Sequence, residues 1–201
     1  MKVAVLKETY PHERRVALLP ANVPHLAKVG AEVLVEPGAG MEAGIPDQHY
    51  FDKGARLVED RGELFAADVV LQVRCFGANR EAGRPELERL TAKSVVIGTC
   101  DPLGAPEAIA EMAATGAGVF ALEMIPRITR AQAMDVLSSQ ATIAGYRAVL
   151  LAATDLPKMF PMLMTAAGTL AATRAFVIGA GVAGLQAIAT ARRLGAVVHA
   201  Y

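Results

Sequence analysis

Three glycines near the end of the chain have the spacing of a loop that holds a dinucleotide. The segment GAGVAG places Gly179, Gly181 and Gly184 in a G-x-G-x-x-G arrangement. In such a loop the first glycine permits a tight turn, the second lets the backbone approach a pyrophosphate, and the third lets a helix pack closely on a strand. A helix beginning near Val182 would point free N–H groups at the phosphates. The motif therefore predicts dinucleotide binding.

The elements around these glycines are those that the motif requires. An apolar run at 175–178 predicts a strand, the stretch 182–194 predicts a helix, and the residues from 197 onward predict a second strand. The acidic residue that binds the ribose hydroxyls normally follows about 20 positions on, and the chain ends at Tyr201, just before it. Two strands would leave the apolar faces of such a sheet without neighbours. We therefore expect the front portion of a longer protein, with its second domain truncated.

A second group of chemically competent side chains comes earlier and contains Arg127, Gln132, Asp135 and Ser138. Gln132 and Asp135 are three residues apart, as are Asp135 and Ser138, so the three can share one face of a helix or loop. Direct hydride transfer between two nicotinamide rings needs groups that position the rings and exclude water, and it needs no acid or base. Alternatively, these side chains could be ordinary caps and ion-pair partners at the start of a helix.

The first 125 residues alternate short apolar runs with stretches of helical pattern, which predicts a parallel α/β sheet. The strands are predicted at 2–6, 32–36, 68–73, 94–99 and 118–122, and the helices at 21–29, 47–53 and 105–115.

The pattern changes near residue 125. A long helix is predicted over 130–153, and the Pro-, Met- and Ala-rich stretch 154–173 is interpreted as a linker or hairpin. We therefore expect an N-terminal domain at 1–125, a connecting helix and linker at 126–173, and the start of a dinucleotide-binding domain at 174–201.

Composition argues against several classes of function. Lys+Arg and Asp+Glu are equal at 20 each, so there is no electrostatic reason to bind nucleic acid or an anionic membrane surface. Cys75 and Cys100 are interpreted as reduced core thiols of a cytosolic protein. The four histidines are scattered, so no metal site is expected. No apolar run is long enough to predict a membrane span, and the opening residues do not resemble a signal peptide.

The block MIPRITRAQAMDVLSSQATIAGYRAVLLAA at 124–153 resembles the NAD(H)-binding component of proton-translocating NAD(P) transhydrogenases. The segments MTAAGT (164–169) and GAGVAGLQAIATARRLGA (179–196) resemble the same component. The opening KETYPHERRVALLP (7–20) and EPGAG (36–40) are similar to the wider family that includes alanine dehydrogenase and saccharopine dehydrogenases. The resemblance spans essentially the whole chain.

This resemblance implies an α/β protein with two Rossmann-like domains, each with a parallel sheet, and a nucleotide cleft between them. It implies a homodimer that binds NAD(H), beside a partner domain that carries NADP(H) and a membrane-embedded proton-channel subunit. Hydride would pass directly between the two nicotinamides. The location implied is cytoplasmic, peripheral on the inner face of the cell membrane through those partner subunits.

The resemblance also implies roles for individual residues. It places four positioning side chains at the hydride-transfer site: Arg127, Gln132, Asp135 and Ser138. The residues that it implies contact the nucleotide are Arg127, Ile128, Thr129, Gln132, Ser138, Gly179, Gly181, Val182 and Gly184.

Two other functions stay open. In alanine dehydrogenase an arginine at the position of Arg15 holds the substrate carboxylate, helped by a lysine and a histidine. Here the corresponding segments read QVRCFG, with Arg74, and GTCDPLG, with no histidine. Arg15 could instead be structural, paired with Glu8 or Glu13. A 2-oxoacid oxidoreductase is therefore one alternative, and a non-catalytic nucleotide-binding regulatory module is another.

Overall fold

The computed structural model describes residues Met1–Tyr201. The chain forms two compact units, Met1–Pro126 and Arg127–Tyr201. No helix in either unit combines the length and the apolar character needed to cross a bilayer.

The first unit is built on a six-stranded parallel sheet with the order β3-β2-β1-β4-β5-β6. The strands are β1 (Lys2–Val5), β2 (Glu32–Val35), β3 (Arg56–Leu57), β4 (Val69–Arg74), β5 (Val95–Thr99) and β6 (Gly118–Ala121). Strand order reverses between β1 and β4. In open α/β sheets this reversal creates a crevice at the carboxyl ends of the strands.

Short helices connect these strands: α1 (Val23–Lys28), α2 (Asp47–Phe51), α3 (Arg61–Phe65), α4 (Arg84–Leu87) and α5 (Pro106–Ala114). The helices cover both faces of the sheet. Successive residues of a strand point to opposite faces, so each face has its own buried cluster. Ala4 and Leu6 belong to one buried cluster, whereas Val5 belongs to the other. Burial on both faces explains why the central strands are continuous apolar runs.

The second unit begins with a long helix, α6 (Val136–Asp155). An antiparallel hairpin follows, formed by β7 (Leu163–Thr165) and β8 (Gly168–Leu170). Two parallel strands, β9 (Arg174–Val177) and β10 (Val197–Ala200), flank the helix α7 (Val182–Arg193). The core of this unit consists of four buried side chains from α6, α7 and the loops: Val149, Phe160, Ala191 and Ala196.

The predicted start of the long helix was wrong. Residues Thr129–Met134 form a 3-10 helix, and α6 begins only at Val136. Asp135 has an extended backbone (φ −76°, ψ 92°), and its side chain accepts a hydrogen bond from the backbone N–H of Ser138. Asp135 is therefore the N-cap of α6, a position at which aspartate is strongly preferred. The hairpin interpretation of 154–173 is confirmed at 163–170.

Candidate nucleotide site

The glycine loop lies between β9 and α7, as its spacing predicts. Gly179 has a φ of +91°, which favours glycine, and its N–H donates to the carbonyl of Tyr201 at 2.7 Å. A Cβ on Gly184 would lie 1.7 Å from the Gly179 carbonyl oxygen, so no other residue fits this approach of helix to loop. A Cβ on Gly181, in contrast, would meet nothing within 4 Å. The backbone at Gly181 is therefore open to a ligand.

An open cavity of about 350 Å³ lies over this loop, entirely within the second unit. Its wall brings together the loop, the first turn of α7, the first turns of α6 and one arginine. The lining residues are Arg127, Leu137, Ser138, Ala141, Ile178, Gly179, Gly181, Val182, Ala183 and Gly184. The first backbone N–H groups of a helix have no partner within the helix and carry partial positive charge. The cavity therefore combines two features that attract an anion, a helix N-terminus and a guanidinium group.

Asp135 and Ser138 form a compact pair at the start of α6. Asp135 accepts from the Ser138 N–H at 2.9 Å and from the Ser138 hydroxyl at 2.7 Å. The pKa of the Asp135 carboxyl lies below its usual value. The largest cause is the hydrogen bond from the Ser138 N–H, and the hydrogen bond from the Ser138 hydroxyl and the charge of Arg127 act in the same direction. Because the Ser138 hydroxyl donates its hydrogen bond to Asp135, its oxygen can still accept one from another group.

The structure brings most of the predicted site residues to one cavity. Arg127 and Ser138 line it beside Gly179, Gly181, Val182 and Gly184. Asp135 reaches it only through Ser138. The remaining three predicted residues, Ile128, Thr129 and Gln132, are exposed and do not line it.

Four residues that line the cavity were not predicted, namely Leu137, Ala141, Ile178 and Ala183. All four are apolar, so nothing in their chemistry distinguishes them in the sequence. The only available signal was their position, next to or one helical turn from a predicted residue.

A separate charged cluster lies at the strand-order reversal of the first unit. Arg15 binds the Glu13 carboxylate through its Nε at 2.7 Å and its Nη2 at 2.6 Å, and the Nε of Arg74 donates to the same carboxylate at 2.9 Å. The Arg74 guanidinium also lies 4.2 Å from the centre of the Tyr10 ring. The hydrogen bonds from Arg15, followed by that from Arg74, lower the pKa of Glu13 to about 2. The expected structural pairing of Arg15 with Glu13 is confirmed.

Glu8 in the same cluster is an unusual acid. Its carboxylate accepts from the backbone N–H groups of Val73 at 2.6 Å and Arg74 at 3.0 Å. These bonds favour the ionised form, but burial opposes it more strongly, and Glu86 and Glu13 add repulsion. The pKa of Glu8 is raised to about 7 as a result.

Glu86, nearby, is buried and well satisfied. It accepts from Arg61 at 2.8 Å and from the Gln72 amide at 2.6 Å. Arg61 also binds Glu36 at 2.9 and 3.0 Å. The guanidinium of Arg61 therefore links two carboxylates that lie largely out of solvent.

The two cysteines are free and fully buried at the ends of β4 and β5. They lie on neighbouring strands, and the N–H of Cys75 donates to the carbonyl of Thr99 at 2.9 Å. The interaction of Cys75 with the Cys100 side chain, followed by burial, raises the pKa of the Cys75 thiol well above its usual value. The interpretation of both as reduced core thiols agrees with this burial.

Two family descriptions together match nearly the whole chain. Residues 4–144 match "Alanine dehydrogenase/PNT, N-terminal domain", and residues 148–201 match "Alanine dehydrogenase/PNT, C-terminal domain".

Individual proteins agree with this match. The chain is 44% identical over 201 residues to an NAD(P) transhydrogenase subunit alpha protein of Rhodospirillum rubrum, covering all of this chain and 52% of that protein. It is 34% identical to an alanine dehydrogenase of Halomonas elongata, covering 98% of this chain and 52% of that protein. The crystal structure of transhydrogenase from Sinorhizobium meliloti superposes with a TM-score of 0.92 at 51% identity, covering 100% of this chain and 58% of that one. The chain thus spans about half the length of the curated relatives that it matches.

Proposed function

Because this chain belongs to the alanine dehydrogenase/PNT family, we propose that it works as the NAD(H)-binding component of an NAD(P) transhydrogenase. Hydride passes directly between NADH and NADP⁺, and membrane partner subunits couple this transfer to proton translocation. The observation that carries the proposal is the single cavity in which Arg127 and Ser138 meet the glycine loop. The identity to transhydrogenase alpha subunits supports the same function.

The residues present fit a dinucleotide. The open backbone at Gly181 and the first turn of α7 can hold the pyrophosphate. Arg127 adds a fixed positive charge at the cavity wall. The bound nucleotide supplies the nicotinamide ring that gives or takes the hydride. The protein's task is then to hold that ring and to exclude water.

Ser138 and Asp135 suit the task of positioning. Ser138 lines the cavity, and Asp135 fixes the orientation of its hydroxyl by accepting a hydrogen bond from it at 2.7 Å, so the hydroxyl oxygen can still act as an acceptor. An acceptor of this kind matches the N–H₂ group of a nicotinamide carboxamide. Gln132, exposed one turn earlier, is proposed to contact the nucleotide at the hydride-transfer site, together with Ile128 and Thr129. None of these groups needs to transfer a proton, in keeping with direct hydride transfer.

The assembly that we propose follows from the same family. The component is a homodimer that docks beside an NADP(H)-binding domain and a membrane-embedded proton channel. It therefore works at the cytoplasmic face of the membrane, to which those partner subunits attach it. Support comes from the relatives named as transhydrogenase alpha subunits.

The charged cluster of the first unit argues against the alanine dehydrogenase alternative. A 2-oxoacid needs a cation for its carboxylate and a proton donor for its carbonyl oxygen. Arg15 and Arg74 already share the carboxylate of Glu13. Arg74, which stands where a lysine would act, stays charged near neutral pH and cannot donate a proton there.

The test separates nucleotide binding from hydride transfer in the full-length protein assayed with its NADP(H)-binding partner. Asp135→Asn and Gln132→Asn are expected to slow single-turnover transfer from NADH while the NADH dissociation constant changes little. Gly184→Ala is expected to abolish NADH binding itself, because its Cβ would lie 1.7 Å from a carbonyl oxygen.

Ser139→Ala is the matched control. Ser139 is exposed beside Ser138, and its hydroxyl contacts only backbone carbonyls. Its replacement is expected to leave both quantities unchanged. Two results would contradict the proposed function. One is that Asp135→Asn loses NADH binding while the transfer step stays intact, and the other is that Gly184→Ala still binds NADH.

A further inference from the structure

Helix α6 contains a glycine at its centre, although glycine is among the poorest helix formers. Gly145 is one of only two buried residues in this 20-residue helix, and the other is Val149. A cap or a turn does not explain Gly145, because it lies in the middle of the helix, far from both ends. The explanation must come from what the helix contacts there.

The contact is with the backbone of α7. A Cβ on Gly145 would lie 2.1 Å from the carbonyl oxygen of Ala183 and 2.9 Å from its carbonyl carbon. A side chain could rotate away from such a clash, but a helix backbone cannot. Gly145 therefore lets α6 approach the first turn of α7 more closely than any other residue would.

This contact continues the wall of the nucleotide cavity. Along α6, the positions 137, 141, 145 and 149 follow one face at intervals of four, and the first two line the cavity. Ala183 lines the cavity as well. The point at which the two helices touch is thus one helical turn from Ala141, which lines the cavity.

We propose that Gly145 is a positioning residue for hydride transfer, because it sets the separation of Ser138 from the glycine loop. This inference rests on the proposed function and adds to it a residue that touches neither nucleotide nor cavity. The helix that carries Ser138 and the helix that receives the pyrophosphate are held at a fixed distance by the absence of one methyl group.

The size of the effect follows from the contact. In Gly145→Ala the distance of 2.1 Å must open to at least 3.0 Å, which moves α6 from α7 by about 1 Å. Misplacing a positioning group by this amount can cost a rate factor on the order of 100. The pyrophosphate is held by the loop and α7, which stay together through β9. We therefore expect transfer to slow about 100-fold while NADH affinity changes little.

Val149→Ala provides the matched control on the same helix face. It removes buried side-chain atoms from the contact between α6 and α7 and lowers stability, but it does not push the helices apart. We expect it to lower the melting temperature and to leave the transfer rate close to that of the wild type. Val149→Ile is the second test, because an added methylene overpacks the buried cluster that Val149 shares with Ala191 of α7. We expect it to slow transfer by less than Gly145→Ala does.

The experiment measures NADH affinity, single-turnover transfer to NADP⁺ on the partner, and melting temperature for the full-length wild type and these three variants. Slow transfer with retained affinity in Gly145→Ala and in Val149→Ile, but not in Val149→Ala, supports the inference. Equal rates in Gly145→Ala and Val149→Ala overturn it. If Gly145→Ala does not fold, wild-type transfer in Val149→Ile overturns it. A wild-type protein that neither binds NADH nor transfers hydride instead refutes the proposed function.

Discussion

The raised pKa of Glu8 predicts an unusual dependence of stability on pH. Unfolded, this carboxyl titrates at its ordinary value of 4.5, whereas in the native chain it titrates at about 7. The native state therefore keeps the proton of Glu8 over a range in which the unfolded state has released it. The free energy of unfolding must fall as pH rises through this window. Below pH 4.5 both states carry the proton, and the contribution of Glu8 is constant.

The magnitude follows from the width of the window. The two pKa values lie about 2.5 units apart, and each unit corresponds to about 1.4 kcal/mol, so the loss reaches about 3 kcal/mol above pH 7. Glu8→Gln removes this loss, because a neutral amide cannot ionise, and its oxygen can still accept from Val73 or Arg74. We expect the variant to match the wild type near pH 4 and to be more stable by about 3 kcal/mol near pH 8.5.

Urea unfolding of both proteins at the two pH values measures this difference. Glu59→Gln, at an exposed glutamate, controls for the removal of one negative charge. The reasoning would be refuted if the wild type gained stability relative to Glu8→Gln as pH rises. That result would mean that the two backbone N–H groups outweigh burial and that Glu8 is a stabilised carboxylate.

Three further predictions concern the first unit and the activity. Arg61→Ala should lower the free energy of unfolding by about 3 kcal/mol, because it leaves the buried carboxylate of Glu86 without its ion pair. Arg56→Ala is the control, because the ion pairs of Arg56 are exposed. It should have far less effect when both variants are unfolded in urea. Cys75 and Cys100 should resist an alkylating reagent in the native chain and react in denaturant, and rapid native labelling would show that they are accessible. The full-length protein should not oxidise NADH with pyruvate and ammonium, and steady oxidation above background would restore the alanine dehydrogenase alternative.

The sequence predicted the central strands of the first unit well, because they are buried on both faces and must be runs of apolar residues. The strand Arg56–Leu57 has only two residues, both exposed, and so carries no such pattern. The start of α6 was misplaced for a different reason. The preceding 3-10 helix contains Ala133, which lies four residues before Leu137 and so continues the helical spacing of apolar residues. The correct signal was Asp135, whose preference for the N-cap position was outweighed by that periodicity.

The candidate site was predictable to a lesser degree. The glycine loop has a local pattern, and its strand and helix follow in sequence. The convergence of Arg127 and Ser138 on that loop joins segments about 40 to 50 residues apart, and it was expected only because of the family resemblance. The close contact between Gly145 and Ala183 was not expected at all. Its cause is the distance between two helix backbones, a property that neither segment shows by itself.

The ion-paired crevice of the first unit also affects how anions approach the protein. Arg15, Arg61 and Arg74 each form an ion pair with a carboxylate, and Arg15 and Arg74 share that of Glu13, so their fields are weakened at a distance. An anionic metabolite diffusing past this edge of the sheet is therefore attracted less strongly than three unpaired arginines would attract it. The ion pairs that hold this edge of the sheet together thus also weaken the long-range steering of anions toward it.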